Sequence, residues 1–284
     1  MPRVNRRPGL SGLVRSVRGL LVASFFIAGI AHPTLGFGQN SPKPSCAKPL
    51  YLTFDTGHMD IAPLVAEVLN RQKVRVTFFA ANERTRTGDG SLGAHWAPWW
   101  KARAAEGHEF ASHTWDHAYW RGDLKGVEPR FRIRPSAGAF AGREFTWDAK
   151  QYCANVAYAA ERLQDHTGKK PLPLFRAPGG KTSPKLLAVA KACGFEHVGW
   201  STAGFLGDEL PSETAPNEAL LKKALADVRA GDILLSHRGI WSRKDPWAPA
   251  VLEPLIVGLK ERGFCFATLR EHPAYQGWIA AHGG

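Results

Sequence analysis

The sequence predicts an α/β fold, a single distorted (β/α) barrel with about seven parallel strands, and three observations support this. From residue 48 onward, short apolar and β-branched runs alternate with longer segments of helical period. The 284 residues, 44% of them hydrophobic, can bury one large core, and no internal repeat divides them. Polar residues also follow directly after several predicted strands, as they do at the carboxyl-terminal face of such barrels.

The predicted elements alternate along the chain in the manner of parallel strands joined by helices. The strands are Leu50 to Phe54, Arg75 to Phe79, Glu109 to Ser112, Leu174 to Arg176, His197 to Trp200, Ile233 to Ser236 and Phe264 to Thr268. The helices are Ala62 to Arg71, Trp96 to Ala105, Trp147 to His166, Pro184 to Ala192, Glu218 to Ala230 and Ala248 to Arg262.

The stretch from Tyr119 to Phe145 interrupts this alternation after the third strand. It is rich in Gly, Arg and Pro and lacks clear periodicity, so we predict a long loop or insertion. Its arginines either border a substrate groove or lie on a solvent-exposed loop without a functional role. They are Arg130, Arg132, Arg134 and Arg143.

The first 38 residues differ in composition from the rest of the chain. Arginines precede the apolar run Leu20 to Ile30, which is short of the roughly 20 residues that a membrane span needs. This order predicts an export signal, cleaved near Ala31 or Gly38, with an uncleaved N-terminal anchor as the alternative. The domain is therefore expected outside the cytoplasm, as a periplasmic, secreted or envelope-associated protein. The predicted divisions are 1–38 for the signal, 39–47 for a linker and 48–284 for one domain.

The formal net charge of +12 at pH 7 favours approach to an anionic envelope polymer. Lys and Arg are scattered, and no stripe of basic and aromatic residues predicts a nucleic-acid partner. A membrane partner is expected only through an uncleaved N-terminal anchor.

The four cysteines allow three pairings, and none has the Cys-x-x-Cys spacing of a zinc or redox site. Cys46 precedes the first strand and Cys265 lies in the last, so closure of the barrel brings these two together. We expect their Cα atoms within about 7 Å of each other. Cys153 lies on a predicted helix and Cys193 directly follows another, as a structural disulfide or as buried thiols.

Residues suited to chemistry follow four of the predicted strands. Asp55 follows the first, His113 and His117 the third, Arg176 the fourth and His237 the sixth. Because parallel strands end on one face of a barrel, we expect these side chains to converge in one pocket. Two neutral imidazoles four residues apart can bind zinc, cobalt or nickel, although such a pair taken alone is more often a surface feature.

Four motifs, in this order, resemble those of the polysaccharide deacetylase family, also called carbohydrate esterase family four. They are Thr-Phe-Asp-Thr-Gly at 53–57, Ser-His-Thr-Trp-Asp-His at 112–117, Arg-Ala-Pro-Gly-Gly at 176–180 and Leu-Ser-His at 235–237. The resemblance covers roughly Pro49 to Leu269, and it identifies 48–284 as a polysaccharide deacetylase-like catalytic domain.

The resemblance implies a role for each motif residue. Asp55 is the catalytic base, Arg176 orients it and His237 is the general acid. His113 and His117 bind a divalent ion, zinc in the first place, with cobalt or another divalent ion as alternatives.

The remaining expected site residues line the substrate groove. Pro178 belongs to the motif that walls the groove, and the backbone N–H of Gly179 faces the oxyanion. Among the ten tryptophans, Trp115 and Trp241 are expected near the site.

Two positions depart from the family pattern. Thr56 stands where the family has a metal-binding Asp, so we expect His58 to be the third ligand, with Asp60 as a more remote candidate. The alternative is that His58 is a loop histidine that stabilises the turn after Gly57. The segment 200–204 lacks the Asp that holds the catalytic His, and Asp208 or Asp245 is expected to replace it.

The resemblance implies a metal-dependent hydrolase that removes N-acetyl groups from an amino-sugar polymer. The acetylated glycan would be peptidoglycan, a chitin-like polymer or an exopolysaccharide. Because of the two departures, a non-catalytic carbohydrate-binding protein with a decayed metal site is one alternative. A hydrolase of a small amide is the other.

Overall fold

The computed structural model describes residues 46–283. The predicted export signal and nearly all of the predicted linker lie outside the described residues, so these assignments stay predictions. Within 46–283, none of the helices combines the length and apolar character that a membrane span requires.

Strands and helices alternate as the sequence predicts, with one inserted group of strands. The strands are β1 Pro49–Asp55, β2 Thr77–Ala80, β3 Glu109–Ser112, β4 Ala118–Asp123, β5 Arg130–Pro135, β6 Phe145–Asp148, β7 Leu174–Phe175, β8 Glu196–His197, β9 Ile233–His237 and β10 Cys265–Phe266. The helices are α1 Ala62–Arg71, α2 Ala97–Ala105, α3 Ala149–Thr167, α4 Pro184–Ala192, α5 Asn217–Asp227, α6 Leu252–Glu261 and α7 Pro273–Ala281.

Seven parallel strands form the central sheet, which confirms the predicted distorted barrel. β1 pairs with β9 along most of its length, with β10 at its start and with β2 at its end. From β2 the sheet continues through β3 and β7 to β8. The irregular segment after β8 then lies along β9, where the N–H of Ser201 donates to the carbonyl of Ile233 at 3.1 Å.

The core lies on both faces of the central strands. β2 and β3 are buried at every position, as expected for parallel strands that helices cover on the outside. On α1, Val65, Val68 and Leu69 share one helical face and belong to the same core. This packing fixes the strands and therefore the positions of the residues at their carboxyl ends.

The stretch from Tyr119 to Phe145 is an insertion after β3, as predicted, but the alternative of a loop is wrong, because β4, β5 and β6 form an antiparallel sheet in this region. β5 alternates exposed arginines with the buried Phe131 and Ile133, the period of two that a half-buried strand needs. Phe131 packs against Tyr152 of α3, with ring centroids 6.0 Å apart. The Gly and Pro residues of the connecting turns hid this short alternation in the sequence.

Two disulfides join distant parts of the described chain. Cys46 pairs with Cys265 at a Cα separation of 6.0 Å, which confirms the pairing predicted from barrel closure. Cys153 of α3 pairs with Cys193, directly after α4, also at 6.0 Å. The second disulfide ties together two helices that lie on the outside of the sheet.

Candidate active site

Asp55 and His237 lie side by side at the carboxyl ends of two adjacent strands. They are register partners in the β1–β9 pairing, and both strands run in the same direction. The hydroxyl of Thr53 donates to the carbonyl of Leu234 at 2.6 Å and adds a link between these strands. The backbone alone therefore brings an acidic and a basic side chain to one place.

Asp55 is buried and forms an ion pair with the buried Arg176. The Nη1 atom of Arg176 lies 2.8 Å from Asp55 Oδ1 and 2.9 Å from Thr53 Oγ1. The guanidinium also donates to the carbonyls of Val198 and Gly199, each at 3.1 Å. Arg176 therefore holds one orientation of the Asp55 carboxylate.

Opposing effects set the protonation of Asp55. Burial works to raise its pKa, but the charges of Arg176, His113 and His237 outweigh burial and hold the pKa below its usual value. The carboxylate is therefore ionised at neutral pH, the state that a general base needs.

His237 has the carboxylate partner that the fourth motif lacks. Asp208 Oδ1 lies 3.1 Å from His237 Nδ1, and Asp208 Oδ2 accepts the backbone N–H of His237 at 2.6 Å. Of the two candidates from the sequence, Asp208 is the partner, whereas Asp245 is exposed on a neighbouring loop. The hydrogen bond at Nδ1 leaves Nε2 to act on a substrate.

The surroundings of His237 favour its charged form. Burial works to lower its pKa, but Asp208, with smaller contributions from Asp55 and Glu209, raises the pKa to about 9. At neutral pH the imidazolium is therefore ready to give up a proton. Two neighbouring groups with oppositely shifted pKa values are typical of a base and an acid in one site.

His113 and His117 meet across a tight loop after β3. Thr114 and His117 adopt left-handed backbone conformations, with φ of 62° and 46°. The N–H of Ala118 donates to Thr114 Oγ1 at 2.8 Å and stabilises this loop. The two imidazole centroids are 4.8 Å apart.

Both imidazoles are oriented by a partner at Nδ1. His113 Nδ1 lies 2.9 Å from the carbonyl of Arg176, and His117 Nδ1 lies 2.5 Å from Ser136 Oγ. Burial lowers the pKa of His113 to about 4, so its ring is neutral. The arrangement leaves Nε2 of each ring to coordinate a metal ion.

Within 46–283, no three His, Cys, Asp or Glu side chains already stand close enough together to hold an ion. The donors nevertheless fit a divalent ion in kind, because they include two oriented imidazoles with carboxylates nearby. His113 Nε2 itself lies 3.4 Å from Asp55 Oδ2.

The structure places His58 in the turn after β1, against another loop. Its Nδ1 accepts the backbone N–H of Asp60 at 3.1 Å, and its ring centroid lies 4.9 Å from that of Trp241. An added Cβ at Gly239 would lie 2.2 Å from the imidazole, so the ring packs directly on that glycine. These are the contacts of a histidine that stabilises a turn, and its role as a ligand stays a prediction.

The two predicted tryptophans differ in environment. Trp115 is half-buried against Tyr158 of α3, with ring centroids 4.5 Å apart. Trp241 is 55% exposed, and the guanidinium of Arg86 lies 5.5 Å from the centroid of its ring. Trp241 is therefore largely exposed to solvent, whereas Trp115 contributes to packing.

Gly179 follows the buried Pro178 and has a φ of 62°, in the left-handed region that favours glycine. A Cβ at this position would lie 2.9 Å from Cε1 of Tyr119. The Tyr119 ring in turn lies 5.0 Å from that of His117. Gly179 and His117 therefore border the same aromatic side chain.

Glu83 is a further site residue that the sequence reasoning missed. The backbone N–H of Gly57 donates to Glu83 Oε2 at 2.6 Å. Burial works to raise the pKa of Glu83, but His117, the Thr56 side chain and His113 together hold it below its usual value. Glu83 comes three residues after β2, so the rule that polar residues follow strands could have found it.

A cavity of about 350 Å³ adjoins the histidine pair. Tyr119 and Ser136 line it, and Ser136 is the residue that contacts His117. Three cationic residues, Arg121, Arg134 and Lys181, line the same cavity. The space beside the site is therefore suited to a polar, negatively charged group.

Comparison with known proteins agrees with this geometry. A family model described as "Polysaccharide deacetylase" matches residues 43–198. The chain is similar to a chitooligosaccharide deacetylase from Azorhizobium caulinodans, with 26% identity over 78% of this chain and 92% of that protein. It is also similar to a peptidoglycan-N-acetylglucosamine deacetylase from Bacillus cereus, with 24% identity over 82% of this chain and 92% of that protein.

Among solved structures, the fold matches a family 4 acetyl xylan esterase from Clostridium thermocellum in complex with a cobalt ion. The TM-score is 0.60 and the identity 23%, and the match covers 81% of this chain and 92% of that one. This likeness supports the distorted barrel.

Proposed function

The chain belongs to the polysaccharide deacetylase family, and from this premise we propose that it removes N-acetyl groups from an amino-sugar polymer in a metal-dependent hydrolysis. The observation that carries the proposal is the pairing of Asp55 with His237 on adjacent strand ends. Their partners, Arg176 and Asp208, keep the first ionised and the second protonated. Hydrolysis of an amide needs both a base and an acid.

In the proposed reaction Asp55 takes a proton from the attacking water, and Arg176 keeps the carboxylate oriented. The backbone N–H of Gly179 faces the developing oxyanion, a contact typically worth about 3 kcal/mol. His237 then donates a proton to the leaving nitrogen. The carbon–nitrogen bond breaks, and acetate and a free amino sugar are released.

A divalent ion, zinc or cobalt, would be held by His113 and His117, and when bound it would lower the pKa of its water and polarise the carbonyl. Support for this comes from the hydrogen bonds at both Nδ1 atoms, which fix the ring orientations.

Two observations support an anionic envelope glycan as the substrate. One of the relatives named above, from Bacillus cereus, is a deacetylase of peptidoglycan-N-acetylglucosamine. The cavity beside the histidine pair is lined by Arg121, Arg134 and Lys181. We include export to the periplasm, the envelope or the medium in the proposal, and the two disulfides support it because such bonds persist in oxidising compartments.

The test measures acetate release from N-acetylated chitooligosaccharide and from peptidoglycan. Each assay is run in the presence of a chelator, of added zinc or of added cobalt. The unmutated protein should release acetate only with an added ion. Asp55→Asn and His237→Ala should each reduce kcat by about a hundredfold or more and leave the fold intact. The His237→Ala loss should be smaller on an acetyl ester, because an alkoxide leaves more readily than an amine.

The outcomes separate an enzyme from a binding protein. Full deacetylation by both variants would contradict the proposed base and acid. A protein that binds the glycan but releases no acetate with any ion would instead be the non-catalytic carbohydrate-binding protein that Thr56 suggests.

A further inference from the structure

The Glu83 carboxylate lies against the position where the family pattern has its metal-binding aspartate. That position holds Thr56, a buried residue whose Oγ1 accepts the backbone N–H of Ala81 at 3.2 Å. The next residue, Gly57, donates its N–H to Glu83 Oε2 at 2.6 Å. A carboxylate is therefore present at this turn, although it comes from a different strand end.

The backbone of Glu83 is fixed from two directions. Its N–H donates to Ser91 Oγ and its carbonyl accepts the N–H of Ser91, both at 2.9 Å. The preceding residue, Asn82, donates its N–H to the carbonyl of Trp115 at 2.8 Å. Trp115 lies between His113 and His117 in the chain, so these bonds tie Glu83 to the loop that carries both imidazoles.

Glutamate is longer than aspartate by one methylene, which extends its reach from the neighbouring strand end. Two histidines and one glutamate form a ligand set that catalytic zinc accepts, with a water completing the site. Each of these three side chains also has an outer hydrogen-bond partner, as metal ligands generally do. His58, in contrast, uses Nδ1 to accept the N–H of Asp60.

We propose that Glu83 is the third protein ligand of the divalent ion held by His113 and His117, and that it replaces the carboxylate lost at Thr56. This assignment rests on the proposed function for the existence of the ion. It assigns to Glu83, rather than to His58, the place left by the missing aspartate.

The experiment measures ion binding directly on the metal-free full chain. Zn²⁺ affinity is measured by calorimetry and Co²⁺ coordination by visible absorption. Glu83→Gln keeps the size of the side chain and an acceptor for the Gly57 N–H, and it should weaken Zn²⁺ binding by about a hundredfold and change the Co²⁺ spectrum. The matched control Glu218→Gln, on the exposed surface of α5, should change the affinity by less than about twofold.

A rescue variant separates ligation from positioning. Thr56→Asp in a Glu83→Ala background restores a carboxylate at the family position, so it should recover Zn²⁺ affinity and the Co²⁺ spectrum. Thermal unfolding of each metal-free variant shows whether it folds. His58→Ala should retain the Zn²⁺ affinity that Glu83→Gln loses.

Three outcomes would overturn the assignment: no ion binding by the unmutated chain, unchanged binding by Glu83→Gln, or failure of the rescue in a folded variant. Ion binding that depends on Glu83 without any acetate release would instead contradict the proposed function and leave the ligand assignment standing. The two proposals therefore fail by different measurements.

Discussion

Asp208 decides the protonation of His237 at the scale of single residues. Its carboxylate contacts both the imidazole Nδ1 and the backbone N–H of His237. Asp55 and Glu209 also face the imidazole, with Glu209 Oε2 at 3.8 Å from Nε2. These negative groups raise the pKa of His237 to about 9, so the residue stays an acid through the neutral range.

Asp208→Asn should therefore move the basic limb of the kcat/KM profile to lower pH. The acid must be protonated to act, so activity is lost as pH rises through the pKa of His237, which is raised to about 9 in the unmutated protein. Removing the nearest negative charge lowers that pKa, and the limb should move by about one pH unit or more. The measurement is the pH dependence of acetate release.

The acidic limb serves as the internal control for Asp208→Asn. The acidic limb reflects the protonation of Asp55, and the substitution leaves the ion pair between Asp55 and Arg176 in place. A uniform loss of rate at every pH, with both limbs in place, would show that Asp208 acts only on the fold.

Single residues were predictable from the sequence where they follow a regular strand. The structure brings Asp55, Arg176, His113 and His237 together because the strands that carry them end on one face. Glu83 was missed although it follows β2, because Ala81 and Asn82 separate it from the end of the strand and it belongs to no motif. Its proposed role depends on the contact with Gly57, which the pairing of β1 and β2 brings about.

Among the secondary-structure elements, the length and burial of an element explain whether the sequence predicted it. The long helix α3 begins at the capping box of Asp148 and Gln151 and ends at Gly168, whose φ is 68°. The strands β4 to β6 were missed because they are half-exposed and separated by Gly-rich turns. The helix α7 follows the last strand and was not predicted.

The disulfide between Cys153 and Cys193 should stabilise the contact between α3 and the end of α4. It closes a loop with a sequence separation of 40 residues, for which the chain-entropy model gives about 4 kcal/mol. The double variant Cys153→Ser, Cys193→Ser should therefore lower the free energy of unfolding by about 2 to 4 kcal/mol. Unfolding in denaturant, followed for the double variant and for the oxidised protein, measures this difference in the free energy of unfolding.

Acetate release at low temperature is the control for the double variant, since both cysteines lie far from Asp55 in the sequence and outside the site contacts described. An equal unfolding free energy for the variant and the oxidised protein would show that the bond adds no stability.

At the scale of the whole molecule, the barrel could be predicted because the alternation of strand and helix patterns is repeated in many segments of the sequence. Seven strands and their helices each contribute, so an error of a few residues at one boundary leaves the topology unchanged. The contact of the segment after β8 with β9 was not predictable, because Ser201 and its neighbours pair with β9 without the pattern of a regular strand. Irregular backbone of this kind is fixed by tertiary contacts rather than by local sequence.

The charge of the whole molecule leads to the last prediction, which concerns salt. The formal net charge is +12 for the full chain and +7 without residues 1–38, and Arg121, Arg134 and Lys181 line the cavity beside the histidine pair. Raising the ionic strength from about 0.01 to about 0.15 M should reduce kcat/KM for an anionic glycan such as peptidoglycan by roughly tenfold, since salt screens long-range attraction. For a neutral chitooligosaccharide, kcat/KM should change by less than about twofold under the same conditions.

Lys181→Glu should raise KM for the anionic glycan alone, because it reverses one charge in the cavity. Equal salt dependence for both glycans, or an unchanged KM for this variant, would show that charge does not select the substrate.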